Sequence, residues 1–449
     1  DILWEDIQHF HAAGWDRLSR LFGVDSDGFP SLRAALPHCY ATWKWKAFIM
    51  QILKGRPISP HTRIPLKLLY NLIATAHQYI LVCIRKGRVS RMFTCAEYAR
   101  RLEGELRKLE AQYGKLNVYS EIGDLSEMYT NLFHADCDTC LIRNARRYRE
   151  STQDIGGHNL RCRERICMPR KNTKLQDCRP GSSYDEEEFV TITVQDIVDI
   201  CVYSNSRSIM FVGTELRQYF QGIPMGEQGS CAKANGVALD AELQCDVDRA
   251  RTHGDSERNL SLQYVDDANN RVVWSDNPEL GWSRESAVAY AASIRECYPA
   301  PLFMEVEPQG QGAYRFLETD TYLHSEAHTY TVHHNRPWSG GVSYNMAAPG
   351  GPLFYRQELN TAVNTCMRTV DNTTPLARGE AAGRIAARLR EMLDAVGNGF
   401  SEGLVRHVLQ RFGEAREPYA GFMRDYGDII RRIMWPVTST RQTREGPGD

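Results

Sequence analysis

At 449 residues, with 42% hydrophobic and 24% charged side chains, the chain has the make-up of a globular protein and is too long for one compact core, so about two to four subdomains are expected. A net charge of -2 excludes a uniformly basic nucleic-acid wrapper and leaves any nucleic-acid surface to local patches. No apolar run approaches the roughly 18 to 20 residues of a membrane span, and 13 scattered cysteines do not resemble a secreted disulfide framework, which points to the nucleus or cytoplasm.

The start, Asp1-Ile2-Leu3-Trp4, carries neither an initiator Met nor a signal peptide and reads as a piece of a longer protein. Residues 1–36 form a helical lead-in, with Trp4, Ile7, Phe10 and Leu18, Leu21, Phe22 at helix-like spacings. From Pro37 to Phe48 aromatics interleave with lysines, Lys46 among them, and Lys54-Gly55-Arg56-Pro57-Ile58-Ser59-Pro60 follows. Pro65 to Lys86 is a strongly apolar helix, and Ala96 to Tyr113 a charged amphipathic one ending at Gly114. The run from Leu116 to Leu132 reads as a strand that delivers Asp124 at its C-terminal end.

Cys137-Asp138-Thr139-Cys140 opens a stretch to about residue 188 that is the most basic part of the chain, with arginines and lysines from Arg143 to Lys174. Cys137, Cys140, Cys162 and Cys167 would offer a tetrahedral zinc site, giving a poorly hydrophobic insertion its fold. The second spacing, four residues between Cys162 and Cys167, is not a standard one, and a loosely ordered basic loop with reduced thiols is the alternative. Either form could track a nucleic-acid backbone.

Thr193-Val194-Gln195-Asp196 is a capping-box variant that opens a helix through Tyr203, and Ser208 to Val212 is a short strand. Leu216 to Phe220 leads into the turn Gly222-Ile223-Pro224-Met225-Gly226, and Ala232 to Leu243 is helical. From Ser261 to Trp274 two apolar, β-branched runs flank Asp266-Asp267-Ala268-Asn269-Asn270, a set of turn formers, so a hairpin tipped with carboxylates is expected. Adjacent acids repel, and their place at the end of a buried strand calls for a cation, although an isolated Asp-Asp is more often a solvated turn. A helix over Ser283–Tyr298, a strand over Leu302–Glu307 and the phrase Tyr314 to Tyr322 come next. Helices over Arg356–Thr369, Arg378–Val396 and Glu402–Phe412 and a disordered tail from Val437 close the chain.

The order is thus Asp124-x-x-x-x-Tyr129-Thr130-Asn131-Leu132, then Gly222-Ile223-Pro224-Met225-Gly226, then Tyr264-Val265-Asp266-Asp267. In these words and this order the chain resembles reverse transcriptases, most of all those of Penelope-like retroelements and their telomerase relatives, from about residue 37 to at least residue 412. The resemblance implies an α+β, right-hand polymerase fold: fingers over 37–123, a palm of antiparallel sheet on helices over 124–330 with the insertion at about 137–188, a helical thumb over 331–436 and a tail over 437–449. It implies a nucleotidyltransferase, an RNA-directed DNA polymerase that extends a primer 3′-hydroxyl with dNTPs on an RNA template. The primer would be DNA or RNA, no membrane is involved, and the oligomeric state is not written in these motifs.

By the same resemblance Asp124 and Asp266 bridge two Mg²⁺ or Mn²⁺ ions, the backbone carbonyl of Leu125 adds a ligand, and Asp267 completes the acidic cluster. Tyr129 crowds the sugar 2′ position and so favours deoxynucleotides. Gly222 and Gly226 pass close to the templating base pair, and Lys46 and Arg56 lie over the triphosphate. One departure stands out: no lysine follows Lys233, where many polymerases place a general acid for pyrophosphate. Arg315 or His324 could substitute. The alternatives are a degenerate, non-catalytic nucleic-acid-binding relic and an RNA-dependent RNA polymerase of the same fold, against which Tyr129 speaks. No Gly-Ile-Tyr…Tyr-Ile-Gly nuclease signature is present in the sequence.

Overall fold

The computed structural model describes residues 39–43, 55–59, 67–85, 96–150, 163–170, 174–182, 185, 187–206, 208–212, 214–219, 221–253, 256–298, 300–307, 313–317, 319–324, 329–334, 351–394 and 402–435. In chain order the elements begin with β1 (Tyr40–Trp43), β2 (Gly55–Ile58), α1 (Lys67–Ile84), α2 (Ala96–Tyr113), β3 (Asn117–Leu125), α3 (Met128–Asn131) and α4 (His134–Glu150). They continue with β4 (Arg165–Pro169), β5 (Arg179–Pro180), β6 (Phe189–Thr193), α5 (Val194–Ser206), β7 (Ile209–Val212), β8 (Glu215–Gln218) and α6 (Ser230–His253). The remainder is β9 (Leu262–Tyr264), β10 (Asp267–Trp274), α7 (Arg284–Arg295), β11 (Met304–Glu307), β12 (Ala313–Phe316), β13 (Thr319–His324), β14 (Thr329–His334), α8 (Gly351–Asp371), α9 (Arg378–Asp394), α10 (Glu402–Gly413) and α11 (Tyr419–Met434). These fall into two compact units, one drawn from residues 1–93, 123–272 and 284–306, the other from 94–122, 273–283 and 307–449.

In the first unit α1 is apolar nearly all round, and such a helix has to be buried on most of its faces. Leu69, Ile73, Ala76 and Ile80 pack with Leu141, Ala145 and Tyr148 of α4, Ile166 and Met168 of β4, Ile192 of β6, Ile197 of α5 and Leu239 of α6. Within the stretch after Cys137, the described residues 137–150, 163–170 and 174–182 thus include packed elements rather than only a loose loop. Helix α4 spaces its apolar residues at the helical period, which sends Cys137, Cys140, Leu141, Ala145 and Tyr148 inward, while the arginines between them mark the other face. Strand β4 pairs with both β5 and β6, Arg165 opposite Thr193 and Pro169 opposite Phe189.

Helix α5 starts as its sequence predicts. The Asp196 amide donates to Thr193 Oγ1 at 3.0 Å, and the Asp196 carboxylate accepts from the Thr193 amide at 3.3 Å and hydroxyl at 2.7 Å. That reciprocal pair satisfies amides that a helix N-terminus otherwise leaves bare.

A four-stranded sheet in the order β11-β3-β10-β9 carries the hairpin of β9 and β10. Helix α6 is buried continuously from Ala232 to Asp240, and Ala232, Ala234, Gly236 and Ala238 keep it thin enough to be covered on every side. His77 of α1 faces Gly236, where a Cβ would stand 3.3 Å from its Nε2. Burial, and then the charge of Lys233, push His77 down to about 3. A depressed histidine is neutral when folded but protonates in the unfolded chain below its ordinary value, so stability is expected to fall as pH drops from about 6.5 towards 3. In His77→Leu that part of the pH dependence of urea midpoints should flatten.

In the second unit β12, β13 and β14 form an antiparallel sheet in that order. The Tyr314–Tyr322 phrase folds as the hairpin of β12 and β13, turning at Leu317 with φ 54 and pairing Phe316 with Thr319. Tyr98 of α2 lies 4.9 Å, centroid to centroid, from Phe316, and its hydroxyl is 2.9 Å from Thr321 Oγ1. Helices α8 to α11 share one core that includes Leu359, Ile385, Leu389, Val405, Phe412 and Phe422. Strand β14 and helix α11 are additions to the elements expected from sequence. Among the described residues no helix is long and apolar enough to cross a membrane.

Candidate active site

Strand β3 ends Gly123-Asp124-Leu125, and the Leu125 amide donates to the carbonyl of Asp266 at 2.7 Å. That single bond sets the end of β3 against the tip of the next hairpin, so the Asp124 and Asp266 positions meet at adjacent strand ends. All three aspartates, Asp124, Asp266 and Asp267, are half-buried. On the other side the Ser126 amide donates to Phe303 O at 3.0 Å, tying the same strand end to the segment before β11.

The hairpin is tighter than its composition implies. Tyr264 pairs with Asp267, which leaves Val265-Asp266 as a two-residue turn, and Ala268, Asn269 and Asn270 belong to β10 and are buried. Val265 takes φ 56, the left-handed region that a β-branched residue occupies only under constraint, at roughly 1–3 kcal/mol. Turns with positive φ at their first central residue usually put glycine there.

The glycine turn is stitched to the segment after Asp124. Gly222 N donates to Leu132 O at 2.8 Å and Ile223 N to Tyr129 O at 2.6 Å. Gln221 Nε2 donates to Asn131 O at 3.2 Å, and His134 Nε2 lies 2.8 Å from Gly222 O. A Cβ on Gly222, whose φ is +87°, would stand 3.0 Å from Tyr129 O and 3.1 Å from Thr130 O. The space that glycine frees at position 222 thus faces the chain's own backbone at residues 129 and 130. Gly222→Ala is expected to lower the unfolding free energy by roughly 1–3 kcal/mol, read from urea denaturation. Gly226, with φ 106, also needs the left-handed region, and the Ser59 amide donates to Met225 O at 2.7 Å beside it.

Tyr129 is half-buried next to Asp266. Burial raises its phenol well above the ordinary value, and Cys231, Asp266 and Tyr264 push in the same direction. Tyr129, the residue expected to crowd the sugar 2′ position, thus lies within reach of the Asp266 charge. Arg56 lies in β2 opposite Thr42. Lys46 falls outside the described residues, as does Cys162.

The other cysteines do not converge. Cys137 and Cys140 sit in a core with Leu125, Met128, Ile223 and Val237. Cys167 is buried on β4, in the three-stranded β5-β4-β6 sheet, whereas Cys137 and Cys140 lie on helix α4. Burial pushes Cys137 up to about 12 and Cys140 up to about 11, which suits thiols used as small apolar side chains. Among the described residues no group of three or more His, Cys, Asp or Glu side chains is drawn together to hold a metal.

Beneath the glycine turn lies a group that sequence reading missed. Lys233 Nζ donates to Glu227 Oε1 at 2.7 Å with both side chains under 5% exposed (3% and 4%), and Ser204 Oγ donates to the same oxygen at 2.8 Å. Burial alone would lower the Lys233 amine, but the Glu227 carboxylate outweighs it and holds the amine above its ordinary value. Farther along α6, Asp240 accepts from Arg143 at 2.6 Å and from Arg147. The one sequence signal was polar residues set in a run of alanines and glycine, which only buried partners could satisfy.

The order of strand end, glycine turn, long helix and acid-tipped hairpin on one sheet is the palm of the right-hand polymerase fold, and the architecture is α+β as expected. No family model and no curated protein matches the chain. Among solved structures, telomerase from Candida albicans in complex with a fragment of telomeric RNA is 11% identical, with 94% of this chain and 70% of that one covered at a TM-score of 0.48. Apo telomerase from Candida tropicalis is 12% identical, with 98% and 72% covered at 0.46. The RNA-dependent RNA polymerase of a human picobirnavirus, with an insertion loop deleted, is 13% identical, with 89% and 64% covered at 0.39. With TM-scores below 0.5, none of these likenesses carries a functional argument, which rests on the site.

Proposed function

We propose that this chain is a nucleotidyltransferase that extends a primer 3′-hydroxyl with deoxynucleoside triphosphates on an RNA template, a reverse transcriptase of the kind that Penelope-like retroelements carry. The observation that supports this most is the Leu125–Asp266 backbone bond, which aligns two aspartate-bearing strand ends beside Tyr129. Mg²⁺ sites commonly take one or two carboxylates and fill the rest with substrate phosphates and water, so Asp124, Asp266 and the Leu125 carbonyl fit as a donor set without a third carboxylate. Two such ions, or Mn²⁺, supply charge stabilisation for the attacking and leaving oxygens.

The chain's own residues do the positioning. The stitched glycine turn fixes Tyr129, whose ring excludes a ribose 2′-hydroxyl next to Asp266. Arg56, with Lys46, is proposed to meet the triphosphate opposite the aspartates. Asp267, on the far side of the turn, is proposed to hold the acidic field rather than to bridge.

The test is primer extension on poly(rA)/oligo(dT) with dTTP and Mg²⁺ or Mn²⁺. Incorporation lost in Asp266→Ala supports the reading. Tyr129→Ala is expected to raise rUTP use relative to dTTP by roughly ten- to a hundredfold. A preference for rUTP in the unmutated chain would instead select the RNA polymerase.

A second reading has one observation in its favour. Lys233, the last lysine of the sequence, is buried against Glu227 and cannot reach a substrate as a proton donor. A relic that binds nucleic acid would show steeply salt-dependent binding to a primer–template without incorporation.

A further inference from the structure

Tyr129 lies in α3, a helix of four residues, and a single helical turn does not hold itself together in water. Its place is set from outside. The Tyr129 carbonyl accepts from Ile223 N at 2.6 Å, and the Leu132 carbonyl, three residues on, accepts from Gly222 N at 2.8 Å. The segment that makes these bonds is itself irregular, with φ +87° at Gly222, and needs an anchor on something rigid. His134 supplies one. It is the first residue of the 17-residue helix α4, whose Cys137, Cys140, Leu141, Ala145 and Tyr148 are buried, and its Nε2 lies 2.8 Å from Gly222 O. A carbonyl oxygen only accepts, so Nε2 is the donor. Gln221 Nε2 returns the clasp to Asn131 O at 3.2 Å, but Gln221 is exposed and His134 half-buried, so the His134 bond is the better shielded from water.

The geometry points to His134 as a positioning residue: by fixing the Gly222 carbonyl it holds Ile223 against Tyr129, and so sets how strictly the site prefers deoxyribo- over ribonucleoside triphosphates. This role rests on the polymerase reading, with Tyr129 as the gate, while the clasp between His134 and Gly222 does not.

Two measurements on the full chain separate them. Both compare His134→Leu, which fills the space without a donor, with His134→Gln, whose amide N–H can reach the same oxygen. The first is hydrogen–deuterium exchange, read by mass spectrometry on peptides covering Gly222 and Ile223. His134→Leu is expected to speed exchange of those two amides about fivefold, the worth of one ordinary hydrogen bond, and His134→Gln to slow it again. Equal exchange in the parent and His134→Leu would overturn the clasp and the proposal with it.

The second is the ratio of kcat/KM for dTTP to that for rUTP in primer extension. His134→Leu is expected to lower it about fivefold, mainly through a lower KM for rUTP, and His134→Gln to restore it. A mere loss of folded protein reduces use of both nucleotides alike, so an unchanged ratio in His134→Leu overturns the positioning role. In a Tyr129→Ala background His134→Leu should change the ratio no further, and a second fivefold fall there overturns the route through Tyr129. A chain that incorporates neither nucleotide overturns the polymerase reading and the role in selectivity, whatever the exchange rates.

Discussion

Asp266→Asn is expected to reduce single-nucleotide extension by roughly a thousandfold or more, since it removes one formal charge from the position proposed to hold the metal ions, a loss of several kcal/mol in the transition state. The same substitution should leave the unfolding free energy within about 1 kcal/mol of the parent, as substitutions at half-exposed sites usually do. The reason is structural: the bond that registers the site is made by the Asp266 carbonyl to Leu125 N, not by its side chain. Extension at parental rates in a folded Asp266→Asn protein would remove Asp266 from the chemistry. A large loss of stability would show instead that the carboxylate is an architectural group.

The opposite pattern is expected at Lys233. Lys233→Met leaves the Glu227 carboxylate in a place that is 4% exposed, with Ser204 as a partner for one oxygen. Breaking a buried pair from one side typically costs 3–5 kcal/mol, so urea denaturation of Lys233→Met should show a loss of about that size. Glu227→Gln added to Lys233→Met removes the stranded charge and should recover a substantial part of it. If the single substitution costs under about 1 kcal/mol, the pair is not buried in solution as it is here. Because Glu227 follows Gly226 directly, the lesion should also raise the KM for nucleotide before it alters kcat.

How far these features could be read in advance depended on what kind of force sets each one. Helix α2 matches its expected span, Ala96–Tyr113, because its amphipathic period and Gly114 are local signals. The Thr193–Asp196 cap was legible for the same reason, and Asp124 falls at its strand end as expected. The hairpin turn was not. Asn269 and Asn270 favour turns by propensity, but here they lie within β10, and Asn270 Nδ2 meets Met304 Sδ at 3.2 Å, a contact no local window contains. The cysteines of α4 failed likewise: two residues between Cys137 and Cys140 fit a metal knuckle, but they also fit one face of a helix, and burial decided for the helix. Helix α11 was legible and passed over, since Phe422, Met423, Gly427, Ile430 and Met434 recur at the helical period. The buried Lys233–Glu227 pair had no local signature at all.

The stitching of residues 129–134 to 221–223 has a consequence for how this chain can change over time. His134 and Gly222 are 88 positions apart. The entropy of closing so long a loop grows only logarithmically, about 0.6 kcal/mol for each doubling. In the connections that join the packed elements α4, β4 to β6, α5, β7 and β8, residues can therefore be gained or lost between the two segments at little thermodynamic penalty, and the site is reassembled by the same few bonds. Inside either segment a single inserted residue would put every one of those bonds out of register. Drift in length is thus tolerated between the motif words and forbidden within them, which makes the distance separating them a poor measure of kinship and their internal spelling a strict one.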